Sequence, residues 1–72
     1  MMAAKRTKLK ELIKKSGYKA YIISEKLGHN PATVYNWING KYEPYARDMI
    51  KLAKILNVDV ETIVRIFGED EQ

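Results

Sequence analysis

The chain has 72 residues, a length that suits one small domain, and its apolar fraction of 46% makes a single hydrophobic core feasible. It contains no cysteine, which excludes disulfide bonds and thiolate sites and argues against a structural zinc. The net charge is +4, and the positive charge is concentrated in residues 1–45, which contain nine Lys and Arg but only three Asp and Glu. This distribution suits either a surface that binds an anionic partner or a solubilising surface.

The sequence pattern predicts five short helices and no strand. Thr7 is a suitable N-cap for helix 1, and Leu9, Leu12 and Ile13 form an apolar stripe at the spacing i, i+3, i+4 before "KSGY" ends the helix. The preceding residues 1–6 are predicted to form a basic arm, which either follows a nucleic-acid backbone or minor groove or remains a solubilising tail.

Helices 2 and 3 are separated by a short turn. Helix 2 is predicted to run from about Lys19 to Leu27, and Gly28 suits the left-handed conformation that commonly follows a helix. Asn30 is a favourable N-cap for helix 3, and Pro31 suits its first position because the missing N–H is not needed there. The pair "NG" then ends helix 3.

Two further apolar stripes predict helices 4 and 5. Helix 4 is expected over about Ala46 to Leu56, after the loop "KYEPY", and Asp59 is expected to cap helix 5. The stripes comprise Met49, Leu52, Ala53 and Leu56 in helix 4, and Val60, Ile63, Val64 and Phe67 in helix 5. Residues 1–72 are therefore predicted to form one domain, in which 68–72 is a flexible acidic tail.

The order of small, glycine and β-branched residues indicates how helices 2 and 3 pack. Ser24, Gly28 and Val34 allow the close approach that two helices need on either side of a three- or four-residue turn. With "ISEKLG", "TVYNWINGK" and "IKLAKILNVDVETI", this pattern resembles the lambda-repressor-like (Cro and phage-repressor, Xre-type) helix-turn-helix family over about residues 9–66. The resemblance implies an all-α, compact five-helix bundle that binds operator DNA and places helix 3 in the major groove.

The two faces of helix 3 have different expected roles. At 100° per residue, Val34, Trp37 and Ile38 lie on one side and are expected to face the core. Ala32, Tyr35, Asn36 and Asn39 lie on the side that the resemblance assigns to DNA.

Only one of the outward residues has a side chain well suited to specific hydrogen bonds with a base. Asn36 can form two hydrogen bonds with adenine, unless it is only a solvated helix residue. Pro31 and Ala32 either touch a thymine methyl group or only shape the start of the helix. Thr33 and Tyr35 are candidates for phosphate, sugar or base-edge contacts.

Other candidate residues would contact the DNA backbone. Lys19 stands at the start of helix 2, where helix amides favour an anion. Asn39, Lys41 and Tyr42 occupy the family's phosphate-contacting loop, although Asn39 suits a turn equally well.

The chain departs from the family pattern at helix 2. Ala20 replaces the Gln that commonly contacts DNA and braces helix 3, and Lys19 replaces the usual Ser or Thr before it. Two functions follow as hypotheses: a sequence-specific DNA-binding transcriptional regulator of repressor type, found in phages, plasmids or bacteria, or a protein-interaction module that no longer binds specific DNA.

The apolar residues of helices 4 and 5 suggest a homodimer through these helices. Helix 4 has Ile50 and Ile55 beyond its main stripe, and helix 5 adds Ile66 and Phe67. This is more apolar surface than a chain of this size is expected to bury, and exposed apolar patches usually mark partners. Two recognition helices would then lie one DNA turn apart, about 34–36 Å.

Enzymatic and membrane functions are not expected. The chain has one histidine and no cysteine, so it offers no evident nucleophile–base pair or ligand cluster, and no cofactor is expected. It is also too short for a deep pocket that would bind a small-molecule substrate. No apolar run approaches the roughly 18 residues of a membrane span, and no signal peptide is evident. A cytoplasmic protein whose partner is double-stranded DNA is therefore predicted.

Overall fold

Five α-helices account for most of residues 5–69, which are the residues that the computed structural model describes. They are α1 (Thr7–Ser16), α2 (Ala20–Lys26), α3 (Thr33–Ile38), α4 (Ala46–Leu56) and α5 (Val60–Glu69). Residues 5–69 contain no strand, so the all-α, five-helix prediction is confirmed for this range. None of these helices has the length and apolar content needed to cross a membrane.

One core unites all five helices and the turn after α2. Its buried apolar side chains are Leu9, Ile13, Ile23, Leu27, Val34, Trp37, Ile38, Leu52, Ala53, Leu56, Ile63, Ile66 and Phe67. The apolar stripes predicted for helices 1 and 4 lie in this core or at its edge, where Leu12 and Met49 are partly buried. Burying one large aliphatic or aromatic side chain contributes about 1.5–3 kcal/mol, so this core supplies the main stabilisation of a chain without crosslinks.

The buried face of α5 differs from the predicted stripe. Ile63, Ile66 and Phe67 are buried, whereas Val60 and Val64 are 39% and 48% exposed. Because successive helix residues are 100° apart, a face centred on Ile63 includes positions 66 and 67 but leaves position 64 at its margin. Val60 is the first residue of α5. The expectation that Ile66 and Phe67 add exposed apolar surface is therefore wrong.

The starts of two helices differ from the sequence prediction. Thr7 is the first helical residue and not the N-cap, and Arg6 occupies the cap position without a side-chain cap bond. Helix α3 begins at Thr33, because residues 30–33 form a turn in which the Asn30 carbonyl accepts a hydrogen bond of 3.0 Å from the Thr33 N–H. The side-chain Oδ1 of Asn30 still accepts a bond of 2.8 Å from the N–H of Ala32, as a capping Asn should.

The end of α5 also lies further along than predicted. Gly68 and Glu69, which the sequence assigns to an acidic tail, continue the helix. The remaining tail residues 70–72 and the arm residues 1–4 lie outside the described range.

Candidate nucleic-acid interface

A buried serine joins α2 to the start of α3. The hydroxyl of Ser24 donates a hydrogen bond of 3.1 Å to the carbonyl of Ala20 and accepts one of 2.9 Å from the N–H of Val34. Ser24 and Val34 are both fully buried, which agrees with the close approach predicted from their spacing. The first turn of a helix has N–H groups without intrahelical partners, and Ser24 satisfies one of them from the neighbouring helix.

The turn between the two helices has the predicted left-handed geometry. Gly28 has a φ of +83°, and the next N–H, of His29, bonds to the Ser24 carbonyl at 2.9 Å. A β-carbon at position 28 would meet no neighbouring atom within 4 Å, so the preference for glycine there comes from the positive φ and not from a lack of space for that atom. The turn thus directs the chain back across α2 and into α3.

The histidine of the turn fastens it to α4. His29 Nε2 hydrogen-bonds to Oδ1 of Asp48 at 2.9 Å, and Asp48 is only 5% exposed. The imidazole also meets the Trp37 indole edge-on, with ring centroids 6.0 Å apart. The burial of Asp48 in the first turn of α4 was not predicted from the sequence.

The inward face of α3 is the predicted one. Val34, Trp37 and Ile38 are all buried. Trp37 connects α3 to α5, because its ring meets the Phe67 ring edge-on, with the ring centroids 6.2 Å apart. Helix α3 is therefore held against α2 through Ser24 and against α5 through the contact between Trp37 and Phe67.

The carboxyl end of α3 is bound by an arginine that the sequence assigned to the arm. Arg6 is 4% exposed, and its Nη1 donates hydrogen bonds of 2.6 Å to the Trp37 carbonyl and 3.2 Å to the Tyr42 carbonyl. Its Nη2 lies 3.5 Å from Oε2 of Glu43, and its guanidinium stands 4.7 Å from the centre of the Phe67 ring. Arg6 is therefore part of the packed structure and does not reach for a groove.

A sequence signal for this burial exists. Arg6 precedes Leu9 by three residues and Ile13 by seven, so it extends the apolar stripe of helix 1 by one turn. A basic residue on that stripe can bury its stem while its guanidinium binds carbonyl groups at a helix end. The surrounding run "KRTKLK" obscured this signal, because its other basic residues are solvated.

The structure leaves all nine predicted DNA-contacting residues accessible. Lys19, Pro31, Ala32, Tyr35, Lys41 and Tyr42 are exposed, and Thr33, Asn36 and Asn39 are partly exposed. Tyr35 is the most prominent side chain of α3 itself, at 60% exposed. The accessible face of α3 is therefore the one that was predicted to face away from the core.

Only some of the nine residues share one surface feature. Lys19, Tyr35 and Asn39 line a single open groove of ≈ 450 Å³ between α1 and α3. Pro31, Ala32, Thr33 and Asn36 lie outside the groove lining, and Lys41 follows the end of the helix, where its N–H bonds to the Asn36 carbonyl at 3.0 Å.

Helix α3 itself has no charged residue, so the charge around it comes from other parts of the chain. No Asp or Glu occurs from residue 26 to residue 42, a stretch that includes the turn, α3 and the residues after it. Glu43, the next acid, lies against Arg6. The accessible face of α3 is thus uncharged and bordered by Lys19 and Lys41. Residues 5–69 hold no cluster of three or more His, Asp or Glu side chains suited to a metal ion.

Comparison with known families gives one match. The family model described as helix-turn-helix, HTH_3, matches residues 9–63, which is most of the chain and includes all of α2, α3 and α4. No curated protein and no solved structure gives a significant match to the chain.

Proposed function

Because the chain belongs to the Cro/C1-type, lambda-repressor-like helix-turn-helix family, whose members are DNA-binding regulators, we propose that it is a sequence-specific transcriptional regulator of repressor type. In this proposal α3 enters the major groove of double-stranded DNA, which is wide enough for a helix. The observation that carries it is the accessible face of α3, which is free of acidic residues and bordered by lysines. A regulator of this kind acts where the DNA is, which in a bacterial cell is the cytoplasm.

Base recognition would depend chiefly on Asn36. Its carboxamide can pair with N6 and N7 of adenine, a contact that gives about 1–3 kcal/mol of discrimination. Pro31 and Ala32 are exposed at the start of the helix and would supply apolar contacts to thymine methyl groups. Thr33 and Tyr35 would add hydrogen bonds to base edges or the sugar-phosphate backbone.

Phosphate contacts would supply most of the affinity. Lys19 and Lys41 are exposed on either side of α3, and Asn39 and Tyr42 lie beside Lys41. Each phosphate that a lysine neutralises releases counterions, so binding should weaken steeply with salt.

A homodimer would present two copies of the proposed DNA-binding surface. Ile50 on α4 is 46% exposed, and Val60 and Val64 on α5 are 39% and 48% exposed. These three residues replace the buried Ile66 and Phe67 as the apolar surface that a second copy would cover. A symmetric pair would present two α3 helices to half-sites about 34–36 Å apart.

Selection of bound sites from random duplex DNA tests this function directly. We expect an enriched sequence with an adenine opposite Asn36, and a palindrome if the protein binds as a dimer. Gel shifts at about 50 and 200 mM salt would measure the electrostatic contribution. If no DNA is bound at about 50 mM salt, where counterion release helps most, the proposed function is wrong.

A protein-interaction module is the second candidate. Ala20 is partly buried, and its methyl group cannot make the DNA contact expected of the Gln that the family commonly has there. Tyr21, Tyr35 and Tyr42 are exposed around the helix pair, and tyrosine is enriched at protein interfaces. Failure to bind DNA, together with capture of a defined protein partner that Tyr35→Ala abolishes, would favour this candidate.

A further inference from the structure

The groove between α1 and α3 carries a concentration of lysines. Lys5, Lys10, Lys14 and Lys19 line it, and each of these side chains is exposed. They come from three parts of the chain: the residue before Arg6, helix α1 and the residue before α2. No acidic residue lines this groove among residues 5–69. An anion that enters it would therefore meet positive charge from several directions.

The opposite side of α1 has a different character. The groove between α1 and α5 is lined by Lys8, Lys15 and Arg65, but also by Glu11, and its volume is ≈ 240 Å³. Lys10 and Lys14 thus lie beside one groove, and Lys8 and Lys15 lie beside the other. Each of the two grooves is therefore lined by two lysines of α1. Only the groove between α1 and α3 has no acidic residue among the described residues that line it.

The lysine-lined groove is continuous with the proposed DNA-binding face. Tyr35 and Asn39 of α3 form one wall, and Lys19 stands at the start of α2. These three residues already belong to the proposed interface, whereas Lys5, Lys10 and Lys14 do not. A DNA strand that passes Tyr35 and Asn39 would therefore continue towards the lysines of α1.

We propose that this groove binds the phosphate backbone of the DNA that flanks the α3 contact, so that Lys10 and Lys14 form a second set of phosphate contacts. The inference rests on the proposed function and extends its interface to α1. Four helix residues rise about 6 Å, which separates the two lysines enough to contact different phosphates. The phosphates of one strand recur about every 3.4 Å along the DNA axis. The partner is the DNA backbone, and the contact is independent of base sequence.

A pair of matched double variants tests this assignment. Lys10→Gln with Lys14→Gln removes two charges beside the lysine-lined groove, and Lys8→Gln with Lys15→Gln removes two from the same helix on its other side. Both are compared with the unsubstituted protein on a mixed-sequence 20-base-pair duplex over a range of salt concentrations. Circular dichroism of each variant establishes that the five helices are retained.

The two variants should behave differently. Loss of Lys10 and Lys14 should make the slope of log affinity against log salt shallower by about 1.8, and lower the affinity at about 50 mM salt on the order of 100-fold. Loss of Lys8 and Lys15 should change the slope by less than about 0.5, because these charges act only through screened long-range attraction. Equal losses in the two variants would overturn the inference while leaving the proposed function intact.

Two further measurements complete the test. One distinguishes a DNA ligand from a free anion, and the other distinguishes failure of this inference from failure of the proposed function. Titration with inorganic phosphate, followed by NMR of the lysine side chains, should give no saturable change at Lys10 or Lys14. Saturation there would show a site for a free anion and overturn the assignment to DNA. If the unsubstituted protein binds no DNA at about 50 mM salt, the proposed function itself fails, and the failure is recognisable before either variant is measured.

Discussion

Nη1 of Arg6 donates a hydrogen bond of 2.6 Å to the carbonyl oxygen of Trp37, which lies 31 residues further along the chain. The backbone N–H of Arg6 also bonds to the carbonyl of Ile38 at 2.7 Å. The residue before α1 thus satisfies carbonyl groups at the end of α3 that have no partner inside the helix. The first residues of the domain consequently help to fix the helix that is proposed to bind DNA.

We expect Arg6→Gln to destabilise the domain by about 2–4 kcal/mol, because charge-assisted hydrogen bonds in a buried site are lost. A domain of this size has a stability of about 4–11 kcal/mol, so the variant should still fold at low temperature. Chemical denaturation measures the change. Lys5→Gln is the control, since it removes the same charge from the adjacent exposed position and should cost less than about 0.5 kcal/mol. Equal stability of the two variants would show that the contacts of Arg6 contribute nothing.

Ser24→Ala should cost about 1–3 kcal/mol, because it leaves the buried N–H of Val34 without its hydroxyl acceptor. Hydrogen exchange should become faster at Val34. Ser16→Ala is the matched control. The Ser16 hydroxyl donates a bond of 2.6 Å to the carbonyl of Ile13 and accepts one of 3.1 Å from the N–H of Tyr18, but the N–H that loses its acceptor is exposed, so water can replace the hydroxyl. The prediction fails if the two serine variants unfold at the same denaturant concentration.

Asn36→Ala and Lys41→Ala should alter DNA binding in different ways. The first should relax preference at one base position by about 1–3 kcal/mol, since a bidentate contact is lost. The second should weaken binding to all sequences and reduce the salt slope by about 1, since one phosphate contact is lost. Binding measured on a selected site and on single-base variants of it separates these effects, and each variant serves as the control for the other. A uniform loss from Asn36→Ala would exclude it from base recognition.

Val64→Lys should convert a dimer into a monomer in analytical ultracentrifugation, because it places a charge in the exposed apolar surface of α4 and α5. The fold should tolerate the change, since Val64 is already 48% exposed. Thr62→Lys adds the same charge to the same helix at an exposed position beside α1, and it should leave the association unchanged. A sedimentation coefficient that is the same for Val64→Lys and the unsubstituted protein would argue against this dimer surface.

Local patterns were sufficient to predict the helices and the inward face of α3. Apolar residues at helical spacing identify a buried face, and Val34, Trp37 and Ile38 were assigned correctly on this basis. The same rule was less accurate for α5, where Val64 and Phe67 both suit the periodicity but only Phe67 is buried. The choice between them depends on where Trp37 lies, and sequence spacing does not contain that information.

The polar contacts of the site were harder to predict than its apolar ones. Arg6 and Asp48 are both buried, although most Arg and Asp residues in proteins are exposed. Their burial depends on partners that are distant in sequence, namely the end of α3 for Arg6 and His29 for Asp48. The phosphate contacts proposed for Lys10 and Lys14 were not predicted from the sequence for a related reason. Only the packing of α1 beside α3 places these two lysines at one groove.

Helix α3 has only six residues, which is far below the length of about 12–15 at which an isolated helix is even marginally stable in water. Its shape is therefore imposed from outside, by Ser24 at its start, by Arg6 at its end and by the core beneath Trp37. The outward side chains contribute little to this framework. Under the proposed function, exchange of Thr33, Tyr35 or Asn36 alone should therefore change the DNA sequence that is bound without compensating changes elsewhere, which would give such a domain a short evolutionary route from one target site to another.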